Sequence, residues 1–238
     1  MNLKRRAVKL INFLVDPKRP LTQPLADHAP LREIQEKAKV RTDISEHLET
    51  LFVESLGVRP KLIVELGVRG GESTFVLERV ARLFGSTLVS VDIEDCTKVC
   101  SWDKWHFVKS DDIAFAKAFP AWCQERGIEP RIDVLFIDTS HLSKHTNEEI
   151  DSWFPYLSDR SKVFFHDTNV RELIYRKDGS AFRAVPLEER GVIKALDRYF
   201  GKTFNETTDF FDYKNGWLIK HHSYCHGFTV LERVTIAS

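Results

Sequence analysis

Asp138 and Asp167 each lie at the end of a short apolar run, Ile132–Asp138 and Lys162–Thr168. These runs read as consecutive buried strands, which become neighbours in a sheet wound to both sides, so the two carboxylates converge at one sheet edge. Two hard oxygen ligands with open positions suit Mg²⁺, which keeps several waters and takes substrate oxygens. A metal held there lowers the pKa of a hydroxyl bound to it. The competing reading makes both aspartates helix caps or loop anchors, because Thr139 and Ser140 can satisfy Asp138 locally. His141 stands three residues after Asp138. An imidazole with its ordinary pKa of about 6.5 is matched to removing a proton at neutral pH. It can equally be a loop histidine before a helix that starts near Ser143.

Glu65-Leu-Gly-Val-Arg-Gly-Gly-Glu-Ser-Thr74 lies between a strand and a helix, where open parallel sheets bind ligands. A nucleotide phosphate loop needs a terminal Gly-Lys-Ser/Thr, and this loop has no such lysine. A dinucleotide fingerprint needs glycine two residues after Gly67, and Arg69 occupies that place. Glu65 is a poor neighbour for phosphate and a good one for an ammonium group. S-adenosylmethionine has no phosphate and carries an amino group and a sulfonium, so it fits this charge pattern. Asp92, at the end of the next strand, is placed to accept ribose hydroxyls, and Ser110-Asp111-Asp112 follows the third strand, beside the adenine. The expected cofactor set is Glu65, Gly67, Gly71, Ser73, Asp92, Asp111, Asp112 and Asp138.

With these residues in view, Leu62 to Val170 resembles class I S-adenosylmethionine-dependent methyltransferases. The glycine loop is similar to that of the metal-dependent catechol-type O-methyltransferases. Phe136-Ile-Asp-Thr-Ser-His141 and Phe165-His-Asp-Thr168 look more like the family of macrolide-sugar O-methyltransferases and cephalosporin hydroxylase-like proteins. The resemblance implies O-methylation of a small-molecule hydroxyl with Mg²⁺ assistance. It puts His141 in the place of the general base, Asp138 beside it as a catalytic group, and Asp138, Asp167 and Thr168 around the metal. The catechol-type enzymes carry Asp-Asn where this chain has Asp167-Thr168-Asn169, so either Thr168 replaces the ligand or Asn169 reaches in. The alternatives are a hydroxylase-like chemistry on the same cofactor fold, or a non-catalytic cofactor-binding subunit.

Positioning these groups requires an α/β fold, a doubly wound and mostly parallel sheet ending in an antiparallel strand pair, with helices before it. Strands are expected at 61–67, 87–93, 105–109, 132–138 and 162–168, and helices at 72–84, 113–126, 143–153 and 187–200. Pro120 either kinks its helix or starts a second piece. Segments 203–213 and 216–222 flank Lys214-Asn-Gly216, a plausible hairpin turn. Before the domain at 58–238, residues 1–57 hold an amphipathic helix built on Leu3, Leu10 and Leu14, a proline-rich arm at 16–30, and a helix from Asp43 to Gly57. Residues 170–190 read as an irregular, mobile lid over the acceptor.

The chain has 238 residues, with Lys plus Arg and Asp plus Glu at 35 each. That balance lacks the basic excess of a general nucleic-acid binder. No apolar run approaches the length of a membrane span, which is roughly 20 residues. Cys96, Cys100, Cys123 and Cys225 match no zinc pattern and read as free thiols of a cytoplasmic protein, with homo-oligomer contacts expected through the N-terminal helices. His145 is expected to be solvated, His166 to face away from Asp167 and tie to a neighbouring loop, and His221, His222, Cys225 and His226 to form no metal site.

Overall fold

In the computed structural model, the continuous apolar runs become strands of one sheet. The structure describes residues 28–171, 173–175, 181–183 and 189–234, together with Ala7, Val8, Leu10, Ile11 and Leu14 in helical conformation. Strands β1 (Leu62–Leu66) and β4 (Ile132–Ile137) are buried at every position, as strands covered on both faces must be. With β2 (Thr87–Asp92), β3 (Trp105–Lys109) and β5 (Leu157–His166) they make a parallel half, in the order β3-β2-β1-β4-β5. Leu66 is level with Val91 and Ile137, and Ile137 with Phe165, so the residues that follow these strands share one edge.

The sheet continues antiparallel through β10 (Phe228–Arg233), β9 (Trp217–His222) and β8 (Phe210–Lys214). The β8–β9 hairpin turns at Asn215 and Gly216, both at positive φ (52° and 81°), as a tight hairpin turn requires. Sequence reading finds this hairpin but not β10, which inserts between β5 and β9. It also starts β5 five residues late, because Ser158-Asp-Arg160 hides the strand's polar beginning.

Helices α1 (Ala29–Ala38), α2 (Leu48–Val58) and α3 (Glu72–Phe84) cover one face. Ile34, Leu51, Phe52, Val76 and Val80 pack there on Ile63, Phe136 and Phe164. Helices α4 (Asp112–Glu125), α5 (Ser143–Trp153) and α6 (Val192–Phe200) cover the other, where Phe115, Phe119, Trp153 and Leu196 meet Val64, Leu135 and Phe165. Residues 29–58 thus share a core with the sheet.

Several boundaries differ from expectation. α1 begins inside the expected proline-rich arm, because Pro30 fits a first helical turn, where its missing N–H is no loss; residues 16–27 of that arm lie outside the described residues. α2 starts at Leu48 after a 3₁₀ turn at Ser45–His47, and ends past Gly57 with Arg59 at φ 49°. Pro120 is carried inside α4 without ending it, and α6 starts at Val192 rather than Leu187. Within the segment expected to be irregular, β6 (Leu173–Tyr175) and β7 (Ala181–Arg183) pair as a small ribbon. The rest of the expected lid, residues 172, 176–180 and 184–188, lies outside the described residues, as does Leu3 of the N-terminal helix.

Candidate active site

The turn after β1 is forced by close approach. A Cβ on Gly67, whose φ is +86°, would sit 2.0 Å from the carbonyl oxygen of Asp138. Glycine therefore lets the ends of β1 and β4 lie against each other. Gly71 precedes α3 at φ +80°, and a Cβ there would strike Val99 at 2.2 Å. Asp92 fastens the loop from the side: its Oδ2 accepts the N–H groups of Val68 (2.8 Å) and Arg69 (3.0 Å), and its Oδ1 accepts that of Glu94 (2.8 Å). Burial opposes its charge, but these donors prevail and hold its pKa below the usual carboxylate range.

Glu65 fastens the loop from beneath. Its carboxylate is fully buried and accepts the hydroxyls of Ser73 (2.6 Å), Thr74 (2.9 Å) and Ser90 (2.5 Å). Burial outweighs those donors and pushes its pKa up to about 7. A cleft of about 580 Å³ runs along this edge of the sheet. Gly67, Ser73, Asp92, Asp111, Asp112, Asp138 and His141 lie on its wall, whereas Glu65 and Gly71 stand behind it. Asp111 also caps α4, accepting the Ala114 N–H at 2.8 Å.

Asp138 and His141 on the cleft wall meet the buried Asp167, with one ligand atom from each residue within 4.8 Å of the others. His141 Nε2 lies 2.7 Å from Asp167 Oδ2 and 3.4 Å from Asp138 Oδ1. Burial lowers its pKa, but the two carboxylates outweigh burial and push it up to about 10. Asp167 follows β5 in the left-handed region, φ +57°. That departure breaks the strict alternation of a strand and lets His166 and Asp167 face the same cluster. His166 Nδ1 is 3.3 Å from Asp138 Oδ1 and 3.4 Å from Asp167 Oδ2, while its Nε2 lies 3.1 Å from the Asp43 carbonyl oxygen. The expected loop tie is present, but the expected turn away from Asp167 is not. His226, from the β9–β10 connection, brings Nδ1 to 3.2 Å from Asp167 Oδ1.

Thr168 is not brought to this cluster. It is fully buried with its hydroxyl 3.4 Å from His221 Nδ1, because the turn at Asp167 carries the next residue toward β9. Asn169 is likewise engaged elsewhere, donating from Nδ2 to the Ser223 carbonyl at 2.6 Å and accepting Arg171 Nε–H at 3.0 Å. His145 is not simply solvated either, since its Nε2 lies 3.1 Å from Asp112 Oδ1. Sequence reasoning gave His226 no part beside Asp167. The one signal it offered is the His226-Gly227 pair: Gly227, at φ +82°, stands where a Cβ would lie 2.4 Å from the Asn169 nitrogen.

A doubly wound sheet of this order, with a glycine turn and acidic strand ends on one edge, defines the class I methyltransferase fold. Residues 64–168 match a family described as a methyltransferase domain, and the fold expected from the sequence is the fold found. The chain is similar to MycE methyltransferase from the mycinamycin biosynthetic pathway, solved with Mg, SAH and mycinamycin VI (TM-score 0.54, 16% identity, 87% of this chain and 56% of that one). It is also similar to SAH-bound methyltransferase PaMTH1 of Podospora anserina (TM-score 0.51, 14% identity, 99% of this chain and 98% of that one). A Sinorhizobium fredii protein, y4gI, uncharacterized, is 29% identical over 133 residues, 48% of this chain but 14% of its own length. All four cysteines are free thiols, and among the described residues no helix is long and apolar enough to cross a membrane.

Proposed function

We propose that the chain transfers the methyl group of S-adenosylmethionine to a hydroxyl of a small molecule, with a divalent cation, Mg²⁺, at Asp138 and Asp167. The observation that carries this reading is one cleft whose wall holds the Gly67 turn, Asp92, Asp138 and His141, with the buried Asp167 in contact with His141 behind that wall. Cofactor and acceptor can therefore meet in one space. Gly67 and Ser73 would face the methionine portion, Asp92 the ribose, and Asp111 and Asp112 the adenine. Asp92 keeps lone-pair capacity beyond the backbone donors it already binds. Glu65 would act through the loop it anchors.

The donor set fits a divalent cation: two converging carboxylates, one of them 3% exposed, ringed by the imidazoles of His141, His166 and His226. Thr168 is left out of this set. When bound, the cation would supply Lewis acidity toward the acceptor oxygen. His141 would take the acceptor's proton on Nε2 as the oxygen attacks the sulfonium methyl in line, releasing S-adenosylhomocysteine. That role needs a neutral imidazole, and beside the Asp138 and Asp167 carboxylates His141 holds its proton up to about 10. Compensation of the carboxylate charge is thus a condition of base catalysis at neutral pH. The likeness to MycE, which was solved with Mg and SAH, supports the same reading.

An intact Asp138–His141–Asp167 set favours an enzyme over a binding subunit. The test is incubation with S-adenosylmethionine and a panel of polyhydroxylated and phenolic acceptors, read as S-adenosylhomocysteine formed with and without a chelator. Turnover that stops with chelator and returns with Mg²⁺ is expected. Calorimetry showing no binding of S-adenosylhomocysteine would sink the proposal.

A further inference from the structure

A second group of ligating side chains begins at the wall of the cleft, where Asp112 opens α4 and His145 lies on α5, and ends at the fully buried Glu149 one turn further along α5. The spacing i, i+4 puts His145 and Glu149 on one helix face. His145 Nε2 is 3.1 Å from Asp112 Oδ1 and 3.7 Å from Glu149 Oε1. One ligand atom from each of the three residues lies within 4.8 Å of the others. Glu149 is fully buried and Asp112 is 7% exposed, yet Glu149 Oε2 and Asp112 Oδ2 are buried without a hydrogen-bond partner. Buried carboxylate oxygens left without a donor are costly, so the arrangement is completed either by a proton held between Glu149 and Asp112 or by a cation. Thr139 donates its hydroxyl to Glu149 Oε1 at 2.6 Å, the kind of supporting bond that orients a ligating carboxylate.

We propose that Asp112, His145 and Glu149 form a second cation site, which takes a divalent transition metal such as Mn²⁺. One imidazole with two carboxylates is a mixed nitrogen and oxygen set, which suits such metals better than Mg²⁺. Access is from the cleft, since Asp112 and His145 both line it. Thr139 lies in the loop that also carries Asp138 and His141, so an ion here fixes that loop from its other side. Burial and the neighbouring Asp112 push the Glu149 carboxyl up to about 8, so a proton is the competitor for the same place.

The site does not depend on the methyl-transfer reading, and the test separates the two. Mn²⁺ is titrated into the full chain and the free ion is counted by its paramagnetic resonance. Two ions per chain are expected in the wild type, one in Glu149→Gln, and one in Asp167→Asn. His145→Ala, at a partly exposed position, should lose the same ion as Glu149→Gln, with at least a 10-fold weaker affinity there. Thermal melting of each variant shows that the fold survives. One ion that disappears in Glu149→Gln and persists in Asp167→Asn supports this site and counts against a metal at Asp138 and Asp167. Unchanged binding in both Glu149→Gln and His145→Ala overturns the proposal and leaves a proton-sharing ion pair.

Discussion

Glu65 carries a pKa of about 7 because burial removes its charge from water and the three hydroxyl donors only partly offset that loss. A carboxyl whose folded pKa is raised binds more protons folded than unfolded, so its contribution to stability is fully present below about 4.5. It declines as pH rises and levels off above about 7, a loss of about 3 kcal/mol at most. Glu65→Gln should therefore flatten the stability profile between pH 4.5 and 7. The check is the difference between wild-type and variant denaturant curves at several pH values, and a constant difference would contradict the assignment. At the cluster, His141→Ala should lower turnover by roughly 10²–10⁴-fold. Asp138→Ala and Asp167→Ala should each impair rescue by Mg²⁺ after chelation, measured as S-adenosylhomocysteine release. Gly67→Ala should abolish cofactor binding in calorimetry, because its Cβ meets the Asp138 carbonyl at 2.0 Å.

Among elements, β5 and β10 matter most for the site, since their antiparallel register sets Phe228 opposite His166. The 226–227 turn then holds the residues after β5 in place: the Asn169 N–H donates to the His226 carbonyl at 2.6 Å. Gly227→Ala should disturb the Asp167 turn and weaken metal binding more than it lowers the melting temperature, and equal losses would make its role merely structural. Reading the sequence found β1, β2, β4 and α3 closely because each is a clean apolar run or a helical period closed by glycine, and β3 through the short half-buried Trp-His-Phe-Val-Lys segment. It brought Asp138, His141 and Asp167 to one sheet edge, where they do meet, because they follow the ends of such runs. It misplaced His166 because alternation assumes the strand continues, whereas Asp167 leaves it at φ +57°. It passed over His226 because that histidine reaches Asp167 only through β10, whose Phe-Thr-Val-Leu-Glu-Arg pattern had no partner until the fold supplied β5.

On the scale of the molecule, equal numbers of acidic and basic residues leave little net charge near the sequence isoelectric point of about 7.1. Solubility should pass through a minimum near that pH and rise on either side, which turbidity against pH would reveal. The sheet joins distant parts of the chain: His166 meets the Asp43 carbonyl, His47 Nε2 lies 2.9 Å from the Tyr224 carbonyl, and His226 meets Asp167. Contacts of such long sequence separation form slowly, since loop closure must come before the reward. The insertion of β10 beside β5 thus has a consequence in time. The ribosome has made Asp138, His141 and Asp167 well before the strand that steadies them, so the emerging chain can hold its nucleotide-fold half without a finished catalytic centre. In refolding, recovery of far-ultraviolet helical signal should precede recovery of ligand binding, and simultaneous recovery would count against this order. An unfinished copy of the protein would then have no working centre with which to spend S-adenosylmethionine.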